Sequence, residues 1–548
     1  MQTEVVEADV LCVGGGIAGL MAAIRAAELG AKVVVVEKAN AWRSGAGAVG
    51  NDHFCCYIPE IHGPDVEVIL KEASLTQLRP RIENRPRARV WWGKTFDIIK
   101  LWEDWGIPMK YHGEYEFAGH RFPGRPFGPY IKYSGQMQKR VLTQQTLSRG
   151  VKIINRVMVM DLLGNKERVT GAIGVGTRED KLWLFSAKSV FLGTGSLTRL
   201  YQGPTPAWMS NNSRPFTTSG DGRAMAYRLG AVLVNMEMLS RHAGPKYFAR
   251  DGQGTWVGVL RDPRGNPVGP FLKRPNRMYS DMITEVNKDL FSEYARSGKG
   301  PVYMDCRGIT DEDLDYMMHW LRNEGNEALI NHLKEEGVDL TKNPVEFQTF
   351  ESMCAGGIKT GLKGESSVKG LYAAGDENIG GISAAATLGW IAGDEAAKYV
   401  EKVKIPSLEK EKSKIKERKE YLEEIRLHRA GPDWREVNIA LQQTMNDYAG
   451  TLRSQNVLDA GLAHLRRLKE KARKTIIARN QHELMRALET LNLLDLGELV
   501  FLTAAERKES RNLHVRADYP YTNPLLDRFI AVEKVGNKPV VEWIEKGY

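Results

Sequence analysis

Gly14-x-Gly16-x-x-Gly19 is the pattern in this sequence that points most directly to chemistry. It follows an apolar run from Val10, opens a helix-patterned stretch, and is followed by a second apolar run that closes on Glu37. In that setting the glycines hold the pyrophosphate of an adenine dinucleotide. Gly14 makes the tight turn, Gly16 lets the backbone approach the phosphates, and Gly19 lets helix and strand pack closely, while the helix N-terminus offers amide donors. Glu37, eighteen residues past the last glycine, is placed to accept a hydrogen bond from a ribose hydroxyl. Its charge repels a 2′-phosphate, so FAD or NAD is favoured over NADP. The five cysteines (Cys12, Cys55, Cys56, Cys306, Cys354) contain no C-x-x-C and no zinc or iron–sulfur spacing, so no metal site is expected in this chain. The vicinal pair Cys55–Cys56 is of a type that does redox chemistry, but reads first as two small buried apolar side chains.

The elements that must position these residues are legible from the hydrophobic pattern. Residues 43–54 (RSGAGAVGNDHF) are too glycine-rich for a regular element and read as a loop pressed against a ligand. Helical periodicity with several tryptophans follows over 65–110, and 151–192 reads as strands broken by turns. Val190 to Gly195 is an apolar strand running into a glycine turn, and 370–381 (GLYAAGDENIGG) repeats the pattern. Two returns to one sheet imply an insertion between them, assigned to 241–345. Past Lys398 four amphipathic segments (407–429, 433–450, 454–476, 478–507) predict a helical bundle, and the tail from about 509 is strand- and turn-like.

At 548 residues the chain has room for about three or four domains. Its 42% apolar and 26% charged residues are ordinary for a globular enzyme. The net charge of +9 is spread along the chain, and the Lys/Glu-rich run at 408–420 alternates in sign, which reads as a solvated helix face and excludes a nucleic-acid patch. A weaker functional reading is that the basic excess steers an acidic electron carrier. No apolar stretch approaches the roughly 18 residues of a membrane span, and no signal-peptide pattern opens the chain, so a cytoplasmic location is expected.

Further motifs carry a family resemblance. Thr218-Ser-Gly-Asp-Gly222, then Met225-Ala226, Gly230-Ala231 and Met236-Glu237, resembles the T-G-D-G…M-A…G-A…M-E run of the flavoprotein subunits of succinate dehydrogenase, fumarate reductase and adenylylsulfate reductase. Glu509-Ser-Arg-x-x-His514-x-Arg516-x-Asp518-Tyr-Pro520 resembles their E-S-R-G-x-H-x-R-x-D-x-P element. The C-terminal third, through His482-Glu-Leu-Met-Arg-Ala487 and the closing Val-Val-Glu-Trp, is most similar to the adenylylsulfate reductase alpha subunit. The resemblance implies an α/β fold with a Rossmann-like FAD-binding domain (1–240 and 346–400), an inserted α+β capping domain (241–345), a C-terminal helical bundle (401–508) and a tail (509–548). It also implies an FAD-dependent oxidoreductase that exchanges electrons between a small anionic substrate and a ferredoxin-like iron–sulfur subunit.

By the same resemblance the FAD contacts are Gly14, Gly16, Gly19, Glu37, Lys38, Ser44, Gly45, Thr194, Gly195, Asp221 and Asp376, with Ala386, Thr387 and Leu388 near the flavin. The loop that carries the FAD-linking histidine in quinone-linked relatives here reads Arg43 to Gly50 and has none before His53, so FAD is expected to be non-covalent. The family's substrate groups match poorly: G-A-N-R-L-G-G reads Ser383 to Gly389 without arginine, H-x-T-x-G-G reads Ser352 to Gly357 without histidine, and the P-R-D segment has no counterpart before Gly300. Succinate and fumarate are therefore disfavoured. The substrate-side candidates are His242, at the position of the family's F-H-P-T histidine, with Arg241, Lys246 and Arg277, and behind them Arg250, Lys359, His514 and Arg516. Arg516 is expected chiefly to tie the tail to the FAD domain. The competing readings are a flavin electron relay without a substrate of its own and, last, an oxygen-reacting oxidase.

Overall fold

The computed structural model describes residues 1–75, 84–117, 128–203, 209, 211–246, 255–268, 272–279, 288–350 and 352–547. The first strand, Gln2–Val13, the helix Ile17–Glu28 and the strand Val33–Glu37 form the predicted unit, with Val10 to Val13 parallel to Val33 to Val36. The second strand is buried at every position because helices cover both faces of a parallel sheet. Around it a seven-stranded sheet is completed by Lys152–Asn155 on one side and, on the other, by Lys181–Leu192 beside Gln2–Val13 and an antiparallel meander through Val169–Gly176 and Val157–Gly164. Both expected returns join this sheet: Val190 to Leu192 pairs in parallel with Leu11 to Val13 and with Leu371–Ala373.

Between those returns lies a second, four-stranded antiparallel sheet ordered Ala243–Pro245, Val345–Thr349, Val302–Asp305, Val259–Arg261. It packs with the helices Asp311–Asn323 and Glu327–Glu335 around its own core of Trp256, Met317, Trp320 and Phe347. Thr310 accepts from the Asp313 amide and three acids occupy the first turn, which sets the start of the first of these helices. Its sheet reaches Thr349, and a two-stranded neck, Leu239–Ser240 with Met353–Cys354, joins it to the main body.

The C-terminal helices are Lys412–Leu427, Trp434–Ala449, Gln455–Thr475 and Gln481–Glu506. Asp433 and Glu436 form a capping box at the second, and Asn480 caps the fourth. The 26-residue fourth helix is buried around most of its circumference and shares one core with the meander of the large sheet, through Leu493, Leu496 and Phe501 on one side and Val159 and Leu163 on the other. The tail contributes the hairpin Phe529–Val535/Lys538–Ile544, which pairs with Leu233–Val234 and so returns the end of the chain to the dinucleotide-binding body. Among the described residues no helix is long and apolar enough to cross a membrane.

Candidate active site

A cavity of about 700 Å³ runs from the glycine turn to the seam under the inserted sheet. At its first end Gly14, with φ +99°, brings its backbone so close to Gly193 that an added Cβ would lie 2.4 Å from the Gly193 carbonyl oxygen. A Cβ on Gly19 would lie 1.9 Å from the Gly14 carbonyl oxygen, the close helix–strand contact expected of that position. Gly16 is different: its nearest neighbour would be 3.7 Å away, and it caps the helix without a side chain, so the first-turn amides face an open cradle. Glu37 accepts from the Gly15 amide at 2.8 Å and from the Ala39 amide at 2.7 Å, which fixes its carboxylate at the cavity wall.

Behind this wall sits a buried ionic network. Lys38 Nζ is 2.7 Å from Asp221 Oδ2 and 2.6 Å from Glu489 Oε1. Glu489 also takes Arg199 and Arg486, each at 2.8 Å, and Asn492 donates to Asp221 Oδ1 at 2.8 Å. Burial alone would raise Glu489, but Lys38, Arg199 and Arg486 outweigh it and hold the carboxyl at about 2. Lys38 is likewise held above its ordinary value, its two carboxylates outweighing burial. Arg223, almost fully buried, gathers three cavity loops by donating to the carbonyls of Gly195, Gly356 and Asp376. Next to it burial pushes the Glu377 carboxyl up, although Thr194 donates to it.

Of the expected cofactor residues, Gly14, Gly16, Glu37, Lys38, Ser44, Gly45, Thr194, Gly195, Asp221 and Asp376 line the cavity. Gly19 stands behind the wall as a packing contact. Thr387 and Leu388 lie deeper than expected. The helix Ile382–Val400 offers Ile382, Ser383 and Ala385 of its first turn to the cavity, whereas Leu388, a turn further on, packs against Ala18 and Ala22 of the first helix. The glycine cradle, the fixed acid that closes the second strand, and the buried Ser44 Oγ, which has no protein partner at the wall, together fit an adenine dinucleotide. The sequence matches the model of the FAD binding domain over residues 9–389.

The chain belongs to this family of FAD-binding proteins. A second model, the fumarate reductase flavoprotein C-terminal region, matches residues 438–534. Among curated relatives, the flavoprotein is 25% identical to a CoM/CoB fumarate reductase subunit of Methanothermobacter marburgensis, over 97% of this chain and 98% of that one. Among solved structures it superposes on adenylylsulfate reductase of Archaeoglobus fulgidus with a TM-score of 0.85 at 22% identity, covering 99% of this chain and 96% of that one. With quinol fumarate reductase of E. coli the TM-score is 0.82 at 20% identity, over 100% and 97%. These likenesses establish the fold, and the family match establishes an FAD-dependent oxidoreductase.

The far end of the flavoprotein's cavity is lined by polar side chains. Arg241 and His242 line it, joined by Arg214, whose Nη2 lies 3.0 Å from His242 Nε2. A guanidinium only donates, so His242 accepts there as the neutral Nδ1–H tautomer. His53, Cys55, Tyr130, Trp91, Trp92 and Glu324 also line the cavity. Lys246 and Arg277 are not part of this wall. Lys246 pairs with Glu346 at 2.8 Å, and Arg277 pairs with Glu312 at 2.8 Å while covering the Tyr316 ring. Both belong to the outer surface of the inserted domain, because each has a nearer carboxylate on its own sheet or helices. Lys359 also stands off the cavity, and Arg250 falls outside the described residues.

His514 and Arg516 form a structural clasp. His514 accepts from Arg453 at Nδ1, 2.6 Å, and donates from Nε2 to the Arg507 carbonyl, 3.0 Å, and burial with Arg453 beside it pushes its pKa well down. Arg516 pairs with Asp518 and donates to the carbonyls of Ala504 and Ala505, so it ties the tail to the C-terminus of the long helix and not to the FAD domain. Sequence reasoning missed Arg214, which no motif announces, and the Arg486–Glu489–Asn492 stripe. That stripe had a signal: three polar residues spaced by three among the leucines of a long helix fall on one face and must be satisfied by partners there.

Proposed function

We propose that this flavoprotein is the catalytic subunit of a two-component oxidoreductase, exchanging electrons between a small anionic substrate and a ferredoxin-like iron–sulfur protein, with FAD bound non-covalently. The observation that carries the reading is the single cavity whose first end fits the dinucleotide and whose far end gathers Arg214, Arg241 and His242. Bound FAD supplies the exchange of an electron pair with a small molecule and of single electrons with a partner. The chain's own contribution is positional. The network around Lys38, Asp221 and Glu489 holds the cofactor wall rigid, the two arginines attract and orient an anion, and the inserted domain at 241–345 covers the far end and excludes water.

Fumarate and succinate fit this wall poorly. At the segment where the related enzymes place an arginine, the helix Ile382–Val400 brings Ser383 and Ala385. A converging basic wall also favours an enzyme over an electron relay that takes no substrate. The resemblance to the adenylylsulfate reductase alpha subunit supports an oxyanion substrate. The test is anaerobic: the purified yellow protein is mixed in turn with sulfite plus AMP, with succinate and with other small acids, and flavin bleaching is followed. Bleaching by an anionic donor supports the reading, and bleaching that Arg214→Ala leaves unchanged contradicts the assigned wall.

A further inference from the structure

The strand His53–Cys55 enters the cavity wall directly after the glycine-rich loop and brings a histidine backed by a buried carboxylate. His53 Nδ1 lies 2.7 Å from Asp52 Oδ1. Asp52 is wholly inaccessible, and its other oxygen accepts from Lys132 Nζ at 3.0 Å and from Thr255 Oγ1 at 3.0 Å. Burial opposes the Asp52 charge, but the Lys132 ammonium and His53 hold its carboxyl well below the usual range. Lys132 and Thr255 come from two different parts of the chain, a strand of the main body and the inserted domain, so the carboxylate is fixed across the seam. Gly50, two residues before Asp52, packs so tightly on this seam that a Cβ there would lie 2.2 Å from the Asn323 carbonyl oxygen. The next residue of that inserted segment, Glu324, faces the cavity beside His53.

This is the arrangement that makes an imidazole an acid and base. A donor bond from Nδ1 to a fixed carboxylate sets the tautomer, leaves Nε2 as the proton-exchanging nitrogen and stabilises the imidazolium when it forms. The charged and titratable groups around His53 are Asp52 and Glu324, Lys132, and Cys55 and Tyr130 on the paired strands, with Glu116 beside Lys132, and Arg214, Arg241 and His242 line the same cavity. The ligand atoms of Asp52, His53 and Glu324 lie within 4.8 Å of one another, but the Lys132 ammonium already serves Asp52 as its cation, which favours proton exchange here over metal binding.

We infer that His53 is the proton-transfer residue of the substrate half-reaction, with Asp52 as its positioning residue. The inference rests on the reading above that a small molecule reacts in this cavity. Oxidation of a substrate SH2 to S releases two electrons and two protons. The electron pair and one proton are the cofactor's share, and the second proton passes to His53 Nε2 and on to water; in the reductive direction His53 returns it.

The test needs no substrate. A change of charge beside an imidazole alters its proton affinity, and by linkage the same free energy appears in the midpoint potential. The FAD potential is therefore measured by spectroelectrochemistry on the holoprotein from about pH 5.5 to 8.5. The wild-type plot is expected to carry a break that the His53→Gln plot lacks, over and above any break that ionisation of the reduced flavin ring gives to both. Asp52→Asn keeps the imidazole but removes the charge that favours its protonation, so its break is expected at lower pH. Superimposable wild-type and His53→Gln plots overturn the inference, as does an unmoved break in Asp52→Asn if His53→Gln does not fold. Failure of the flavoprotein reading is a distinct result: a wild-type chain with no reversibly reducible FAD removes both.

Discussion

At the first end of the cavity the wall is built on one local motif, Val13 to Ala18 with Val36 to Lys38, to which Thr194, Asp221 and Asp376 are added from later segments, whereas at the far end it is assembled from single residues as distant as His53, Arg214, His242 and Glu324. The first end is held by backbone contacts that admit no Cβ and by a closed ionic network. The far end is held by side chains reaching across a seam between two sheets. The difference separates two tasks. A constant cofactor is served by a contiguous, rigid motif, while a substrate site on the same fold is free to change one side chain at a time.

Substitutions that break the first end have the largest expected effects. Gly19→Ala forces a Cβ against the Gly14 carbonyl, a clash between two backbones that no side chain relieves. It is expected to cost about 3 kcal/mol or more and to abolish FAD uptake, read by thermal melting and flavin absorbance. Glu489→Ala takes the carboxylate from both Arg199 and Arg486 and leaves Lys38 with Asp221 alone, and it is expected to cost about 3–5 kcal/mol.

The same residue gives a pH signature. Because the folded pKa of Glu489 is depressed to about 2, its contribution is complete above the unfolded value of 4.5 and is lost as pH falls toward 2. The wild type is therefore expected to lose melting temperature more steeply across that window than Glu489→Ala, and parallel curves would contradict the network's role.

At the far end the expected effects fall on binding and leave the fold intact. Arg214→Ala removes a charge-assisted donor and is expected to weaken the binding of anions that perturb the flavin spectrum by about tenfold or more, with FAD content unchanged. Smallest of all are Lys246→Ala and Arg277→Ala, whose partners are surface carboxylates. Each is expected to change stability by less than about 1 kcal/mol and to leave both FAD content and anion binding as they were, checked by melting and by the same spectral titration.

The same contrast between the two ends governs what the sequence disclosed. The strand–turn–helix–strand unit, the two later returns to its sheet and the four C-terminal helices were readable because each rests on local periodicity and a local cap or turn. Ten of the expected cofactor residues reach the cavity for the same reason: they sit in motifs whose geometry is set by their immediate neighbours. Thr387 and Leu388 stand one helical turn beyond the residues of their helix that line the cavity, a shift the apolar pattern of an alanine-rich helix does not specify. Lys246 and Arg277 have the right charge, but their nearest carboxylates, Glu346 and Glu312, are fixed by the tertiary fold of the inserted domain. Arg214 and the Asp52–His53 pair stand at the seam because sheets distant in sequence meet there, and no periodicity announces that meeting.

The most direct measurement is the fate of the cofactor when the purified protein is precipitated with acid. The account predicts a yellow protein that releases one FAD per chain into the supernatant. A colourless protein that takes up no added FAD, or flavin that stays with the precipitated chain, would contradict it.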